Sequence, residues 1–315
     1  MSRGAQFSLS RILRPGVGEN PIRHHRVAEA RMLAALGNVA NFLARHPLTR
    51  KHRMPAFARY VRWQIQSRLR DEIVYDWIEG TRLAVRRGMT GATGNIYAGL
   101  HEFHDMAFAL HFLRPEDVFA DVGANIGSYT VLASGVVGAV SIAFEPDPGT
   151  AERLHMNVQL NGIFDRVSIH MMALGEEAGL ARFSIGRDTE NHVLTSKEEN
   201  WREVPIQSLD AMVGERVPAF VKMDVEGYEA QVLRGARRVL ADPRLQAVLT
   251  ENQSEPVFAM LTGAGFREMA YDGFHRTLLP PKEVAMANAL FVRDAGYVQA
   301  RVATAKAVRV LGRSI

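Results

Sequence analysis

The stretch VFADVGANIGSYT, residues 118–130, decides the fold of this chain. An apolar run leads into Gly123 and Gly127, and a helical pattern follows, which indicates a strand, a glycine turn and a helix. Turns of this kind lie at the carboxyl edge of a parallel sheet, where such folds bind their ligands. Glu145 follows 22 residues after Gly123, at the end of the next apolar run. Because an acidic side chain there can accept both hydroxyls of an adenosine ribose, the pair predicts an adenosine-containing cofactor.

Charge and glycine spacing favour S-adenosylmethionine (SAM) over NAD as that cofactor. The loop reads Gly-x-x-x-Gly and lacks the middle glycine that lets a backbone approach a pyrophosphate. Asp121 stands two residues before Gly123, where a carboxylate repels phosphates and attracts the ammonium group of a methionyl moiety. An NAD-dependent oxidoreductase is the alternative interpretation.

Short apolar runs alternate with helical stretches from about residue 117, as they do in βαβ units. The predicted strands of the sheet are 118–122, 140–144, 167–172, 219–223, 245–250, 266–271 and 289–292. The predicted helices are 128–136, 149–161, 227–241 and 255–263. Two more strand-like runs, 181–185 and 203–205, predict a small insertion. We therefore expect an α/β fold of the Rossmann-like, doubly wound kind, with a mainly parallel seven-stranded sheet and one antiparallel member.

The first 90 residues predict an N-terminal extension built from helices and a hairpin. Apolar residues recur at helical spacing in 27–45 and 56–70, and 73–88 carries β-branched and aromatic residues on both sides of Glu79-Gly80. Residues 1–70 hold 14 Lys/Arg against two Glu, a net charge of +12, so the remainder of this +4 chain sums to −8. We expect this basic region to pack on the catalytic domain or on a partner subunit. The alternative is a nucleic-acid-binding protein, with Tyr60 and Trp63 as stacking positions.

A second informative run is FVKMDVEGYEAQVLRGA, residues 220–236, a buried strand that delivers Asp224 to the same carboxyl edge. Asp224 there can orient or deprotonate an acceptor hydroxyl, although a helix N-cap is an equally good interpretation. Glu226 suits the first turn of a helix.

These motifs resemble the FkbM family of SAM-dependent methyltransferases over residues 95–293. The stretches that carry the resemblance are DVGANIGSYT, AFEPDP, MALG and VKMDVEGYE with LRGA. The family implies a class I methyltransferase sheet and O-methylation of sugars, glycans or secondary metabolites. It also implies that Glu145 binds the ribose, Ala173 the adenine, and that Asp224 lies beside the reacting methyl group. The residues implied to hold the methionyl end of SAM are Asp121, Gly123, Asn125 and Gly127.

Other polar residues give weaker predictions. His192 lies in the inserted loop with Asp188 and Asn191 and is a second candidate base. The stretch 88–106 is rich in glycine and polar residues and is a candidate lid over the cofactor. Its His101, Glu102, His104 and Asp105 also have the spacing of an ordinary exposed helix, so we expect no metal site.

Composition narrows the remaining possibilities. The chain has no cysteine, which excludes disulfides, thiolate metal sites and cysteine nucleophiles. No apolar stretch is long enough to span a bilayer, so we expect a cytoplasmic enzyme with a small-molecule or glycan substrate, possible self-association and no nucleic-acid partner. The predicted division is 1–90 extension, 91–293 methyltransferase domain and 294–315 basic tail.

Overall fold

The computed structural model describes residues 37–184, 193, 200–251 and 254–315. Its centre is an eight-stranded sheet in the order β12-β11-β13-β10-β9-β3-β4-β5. The strands of this sheet are β3 Val118–Val122, β4 Val140–Phe144, β5 Val167–His170, β9 Phe220–Met223, β10 Ala247–Thr250, β11 Arg267–Asp272, β12 Thr277–Leu279 and β13 Ala289–Val292. Strands β5, β4, β3, β9 and β10 pair in parallel, whereas β13 is antiparallel to both β10 and β11. The predicted mainly parallel sheet is confirmed, and β13 is an antiparallel member within it.

The number of strands differs from the prediction of seven because β12 adds one strand at the edge. It pairs antiparallel with β11 through Asp272↔Thr277 after a short turn. Three residues, Thr277–Leu279, are too few to show an alternating pattern, and Pro280 ends the run. This hairpin lengthens the sheet on the side away from β3 and makes β12 a second antiparallel member.

Helices cover both faces of the sheet. These helices are α4 Phe103–Phe112, α5 Ser128–Thr130, α6 Pro148–Leu160, α7 Leu209–Val213, α8 Glu229–Arg234, α9 Arg237–Ala241, α10 Glu255–Gly263 and α11 Ala295–Ala303, and α5 continues as a π-helical turn over Val131–Val137. The helix predicted for 227–241 is divided at Gly235, since glycine is a poor helix former. On one face Phe108 and Phe119 belong to one apolar cluster, and on the other Ile142 and Val221 belong to a second.

The insertion predicted between the third and fourth strands is a small separate sheet. Its strands are β6 Ala173–Leu174, β7 Gly179–Ser184 and β8 Trp201–Gln207, in the order β6-β8-β7. Strand β8 runs parallel to β6 and antiparallel to β7. This sheet stands beside the carboxyl ends of β4 and β5.

The described part of the N-terminal region packs against the αβ body. Residues 37–45 are helical (α1), and the following elements are α2 Arg53–Leu69, β1 Ile73–Asp76, β2 Arg82–Val85 and α3 Thr90–Ala98. Pro55 lies inside the first turn of α2, where a missing N–H costs no helical hydrogen bond. β1 and β2 form the predicted hairpin. Trp63 and Leu83 share a buried cluster with Leu154 of α6, so this region is joined to the sheet by apolar contact.

Residues after 293 also fold onto the body. Helix α11 buries Val298 and Val302 in the same cluster as Phe108, and the short strands β14 Arg309–Val310 and β15 Arg313–Ser314 pair beyond it. The carbonyl of Ile315 accepts a hydrogen bond from Arg276 at 2.6 Å. No helix in the described residues has the length and apolar character needed to cross a membrane.

Candidate active site

A cavity opens where the carboxyl ends of β3, β4 and β9 meet the insertion sheet. It holds about 660 Å³ of empty space, counting its mouth to solvent. The lining residues named by the sequence are Gly123, Asn125, Glu145, Ala173 and Asp224, and the others are Val122, Phe144, Pro146, Asp147, Thr150, Met172, Leu174, Phe183, Val193, Val225, Glu226 and Tyr228. Parallel strands place their carboxyl ends at one edge, which is why residues as far apart in the chain as Val122 and Tyr228 meet here.

The glycine turn follows β3 and fits closely against the end of β9. Gly123 has a φ of +74°, and a Cβ built on it would lie 1.9 Å from the carbonyl oxygen of Asp224. Only glycine fits this approach, because the obstacle is backbone. Asn125 also has a positive φ, +52°, which asparagine tolerates better than most residues. From the sequence we expected the backbone at Gly123 to lie close to a ligand. The structure shows that it lies close to the backbone of Asp224, in the loop after β9.

Glu145 is the most constrained side chain of the cavity. Its carboxylate accepts hydrogen bonds from the backbone N–H of Asn125 and from that of Asp147, each at 2.9 Å. The side chain is nearly buried, and burial raises the pKa of Glu145 to about 7, although the two backbone donors oppose the rise. Each carboxylate oxygen has capacity for a further hydrogen bond. The geometry therefore holds two acceptor atoms at a fixed place in the cavity wall.

Asp121 and Gly127, both predicted to hold the methionyl end of SAM, are not among the lining residues. Asp121 is fully buried, and its Oδ2 accepts a hydrogen bond from Thr130 at 2.7 Å. Burial raises the pKa of Asp121, and nearby Lys222 opposes the rise. A Cβ on Gly127 would lie 2.3 Å from Leu154, so this glycine permits helix packing. Neither residue lines the cavity, and the role predicted for them at the methionyl end of SAM stays a prediction.

Ala173 lies at the start of β6 and is buried in the cavity wall. It shares a small apolar cluster with Phe183, Val193 and Val204, and Tyr228 packs against that cluster. The insertion sheet thus supplies an apolar wall opposite the carboxylate of Glu145.

Asp224 follows β9 directly and forms an ion pair with Lys222. The Nζ of Lys222 lies 3.0 Å from Oδ2 of Asp224, and the Asp224 side chain is 37% exposed, facing the cavity. Burial alone would raise the pKa of Asp224, but Lys222 holds it below its ordinary value. The N-cap alternative is not formed, since helix α8 begins later, after Tyr228, with no side-chain cap. Asp224 is therefore held as a carboxylate at the cavity surface.

Glu251 is a site residue that the sequence reasoning missed. It directly follows β10, as Asp224 directly follows β9. One carboxylate oxygen from each of Asp224, Glu226 and Glu251 lies within 4.8 Å of the other two. Burial and the charges of Asp224 and Glu226 raise the pKa of Glu251 to about 8. Its position directly after a buried strand was the available signal. Carboxylate groups of this kind are common without a metal ion, and the prediction of no metal site stays a prediction.

Residues of the predicted lid serve as packing elements. The Tyr129 hydroxyl donates to Glu102 at 2.7 Å, the Gly273 N–H donates to His104 at 3.1 Å, and Asp105 accepts from Asn288. Helix α4, which carries His104 and Asp105, is buried throughout. The lid interpretation is therefore wrong for this helix. His192, Asp188 and Asn191 lie outside the described residues, so the role predicted for His192 stays a prediction.

Comparison with known proteins now identifies the family. The model for the methyltransferase FkbM domain matches residues 121–297, which is 177 of 315 residues. The chain belongs to the FkbM methyltransferase family. The match begins within β3 and contains the glycine turn, Glu145, Asp224 and Glu251.

Two relatives of this chain are similar to it over part of its length. The chain is 33% identical over 132 residues to the hexuronic acid methyltransferase AglP of Haloferax volcanii, covering 40% of this chain and 52% of that protein. It is 28% identical over 212 residues to the 31-O-demethyl-FK506 methyltransferase FkbM of Streptomyces tacrolimicus, covering 53% and 80%. The matched part thus spans about half the length of the haloarchaeal relative.

A solved FkbM methyltransferase from Methylobacillus flagellatus KT is also similar. It shares 18% identity with a TM-score of 0.41, and the match covers 59% of this chain and 47% of that one.

Proposed function

We propose that this FkbM-family methyltransferase uses SAM to methylate a hydroxyl oxygen on a sugar, a glycan or a secondary metabolite. The observation that carries the proposal is the pair of carboxylates in one cavity. Glu145, fixed by two backbone donors, provides two acceptors for a ribose diol, and Asp224 lies across the glycine turn at the end of β9. The names of the two relatives, hexuronic acid methyltransferase and 31-O-demethyl-FK506 methyltransferase, support a hydroxylated acceptor, although a hexuronic acid also carries a carboxylate.

The residues present fit SAM as the methyl donor. Glu145 has acceptor capacity left for the ribose hydroxyls, and Ala173 leaves room for a flat base against the apolar insertion wall. The turn after β3 presents Gly123 and Asn125 to the remaining part of the cofactor. Bound SAM supplies an electrophilic methyl group on a sulfonium sulfur.

The protein's own contribution is positioning and proton transfer. The acceptor oxygen forms a bond to the methyl carbon, the carbon–sulfur bond breaks with its electron pair remaining on sulfur, and the hydroxyl proton must leave. Asp224, kept ionised by Lys222, accepts the hydrogen bond of the hydroxyl and orients it. Glu251 is the stronger base when ionised, because its pKa is about 8, and it takes the proton. Orientation of the two reactants lowers the barrier most, by as much as about 7 to 11 kcal/mol.

The charge at this place also selects the acceptor group. The carboxyl groups of Asp224, Glu226 and Glu251 lie within 4.8 Å of one another, and above the pKa of Glu251, about 8, their charges repel an approaching anion. A neutral hydroxyl can approach and donate its hydrogen bond, whereas a carboxylate acceptor is disfavoured. We therefore assign the enzyme to ether formation at a hydroxyl and not to ester formation at a carboxylate.

Two measurements test the proposal. Calorimetry should show binding of SAM and S-adenosylhomocysteine and no binding of NAD. Transfer of the tritiated methyl group of SAM to a panel of methyl glycosides, polyols and uronic acids should then label hydroxyl oxygens. Preferential binding of NAD, or methyl ester as the main product, would contradict the proposed reaction.

A further inference from the structure

Helix α2 carries an unusual stripe of exposed apolar side chains. Met54 is 79% exposed, Ile65 56% and Leu69 78%, and Phe57 and Val61 are exposed as well. These five belong to the fourteen large apolar residues that are exposed in the described part of the chain, and the other nine are spread over the remaining elements. We call Met54, Phe57, Val61, Ile65 and Leu69 the α2 stripe.

The α2 stripe lies on the side of the helix opposite to its packed face. At about 100° per residue its members fall within an arc of about 120°. The buried residues Ala56, Tyr60 and Trp63 lie on the other side, where α2 packs against the body. The helix is therefore apolar on two faces, and one of them faces solvent. A contiguous exposed apolar surface of this kind marks an interaction site, whereas scattered apolar residues do not.

The charge around the α2 stripe selects the partner. The helix sequence RMPAFARYVRWQIQSRL contains four arginines and no acidic residue. Arg53 and Arg62 fall on the two flanks of the stripe, Arg68 falls within its arc, and Arg50 and Lys51 precede the helix. A helix with an apolar face, flanking basic residues and no acid is the pattern that binds the interface of an anionic lipid bilayer.

Two other possible partners of the α2 stripe, a second copy of the chain and a nucleic acid, agree less well with these observations. A second copy of the chain would bring two arginine-rich helices together, which like charge opposes. A nucleic acid would need several exposed aromatic stacking positions, but Tyr60 and Trp63, the positions predicted from the sequence, are 8% and 4% exposed, which leaves Phe57 as the one exposed aromatic residue of α2. Neither partner uses the five apolar residues and the flanking charges together.

We propose that α2 binds the surface of an anionic membrane, with the α2 stripe inserted among the lipid tails and the flanking arginines at the head groups. The helix lies in the plane of the interface and does not cross it, in agreement with the lack of a spanning helix in the described residues. Each methylene buried in the bilayer contributes about fourfold to the affinity. Burial of even part of the stripe is therefore sufficient for reversible attachment, and the basic flanks strengthen it on anionic lipid.

Vesicle sedimentation of the full chain tests this inference. The probes are vesicles of phosphatidylcholine alone and vesicles in which phosphatidylglycerol replaces part of it. We expect the partition coefficient to be at least about tenfold higher on the anionic vesicles and to fall as salt is added. The double substitution Ile65→Ser with Leu69→Ser should lower it by about tenfold or more, since several buried methylenes are lost.

A matched control keeps the test specific to this helix. Phe164 and Leu180 are exposed to a similar degree elsewhere, at 72% and 67%, and their replacement by Ser should change the partition coefficient by less than about twofold. The double substitution Arg53→Glu with Arg62→Glu should weaken binding to the anionic vesicles and leave binding to the neutral vesicles unchanged. Melting temperatures verify that each variant is folded.

Four outcomes would overturn the inference. These are equal binding to neutral and anionic vesicles, and binding that the stripe substitutions do not weaken. A dimer that the stripe substitutions dissociate, without vesicle binding, would assign the stripe to a second copy. A large drop in melting temperature on the stripe substitutions, without vesicle binding, would assign it to another segment of this chain, such as residues 1–36.

Discussion

Substitution of Glu145 provides the sharpest test of the cofactor site. In the proposed complex the carboxylate accepts hydrogen bonds from the ribose diol while it keeps those from Asn125 and Asp147. Hydrogen bonds to a charged group contribute about 1.5 to 3 kcal/mol, so Glu145→Ala should weaken binding of SAM by about 10- to 150-fold. Calorimetry measures this change directly.

The pH dependence of ligand affinity tests the role of the Glu145 carboxylate independently. Burial raises the pKa of Glu145 to about 7, and the ionised form is the better acceptor of two hydroxyl groups. The carboxyl group is then about nine-tenths ionised at pH 8 and about one-tenth ionised at pH 6, so affinity should fall about tenfold between them. The probe should be 5′-methylthioadenosine, which carries the ribose diol but lacks the amino group of SAM that titrates in the same range.

Two variants separate this effect from general damage. Glu145→Gln keeps the size of the side chain but does not titrate, so its affinity should be the same at pH 6 and pH 8. Glu152→Ala removes an exposed glutamate from the next helix and should leave affinity unchanged. The reasoning is refuted if folded Glu145→Ala binds SAM within about twofold of wild type, or if the pH dependence persists in Glu145→Gln.

Three further predictions concern the reaction and the glycine turn. Asp224→Asn should lower the single-turnover rate of methyl transfer by about 10²- to 10⁴-fold while SAM still binds. An unchanged rate in a stable protein would contradict the role of Asp224 and favour His192 as the base. The transfer rate should rise with pH up to the pKa of Glu251, about 8, and Glu251→Gln should abolish that rise; a slope that survives the substitution would assign the proton to another group. Gly123→Ala should lower the free energy of unfolding, measured in urea, by about 2 to 4 kcal/mol, because its Cβ would meet backbone 1.9 Å away. Gly162→Ala, at a residue with positive φ and open space around it, should lower it by about 1 kcal/mol. Equal losses would show that the backbone contact of Gly123 is unimportant.

Much of the fold was predictable because local pattern and global topology agree in this chain. The runs 118–122, 140–144 and 289–292 are buried strands with the predicted bounds, since continuous β-branched and aromatic residues between turn signals indicate little else. The edge strand β12 was missed because three residues show no periodicity. Its pairing depends on β11, which lies next to it only after the chain has turned.

The part of the site that could be predicted follows from one rule, that ligands bind at the carboxyl ends of parallel strands. That rule brought Glu145 and Asp224 to one cavity from positions 79 residues apart. It gives the edge on which a side chain lies but not the depth, so it could not show that Asp121 lies behind the loop against Thr130. The same rule places Glu251, which directly follows β10, at this edge, but its closeness to Asp224 depends on the pairing of β9 with β10.

The position of Asp121 changes the reason for preferring SAM to NAD. Its charge is already opposed by Lys222 and hidden from the cavity, so it cannot discriminate between the cofactors by direct contact. The acidic residues that line the cavity are Glu145, Asp147, Asp224 and Glu226, and Glu251 lies beside Asp224 and Glu226. Lys222 compensates one of these carboxylates at most. Because a pyrophosphate would bring two more negative charges to this edge and a sulfonium brings a positive one, the preference for SAM rests on the whole edge of the sheet and not on one aspartate.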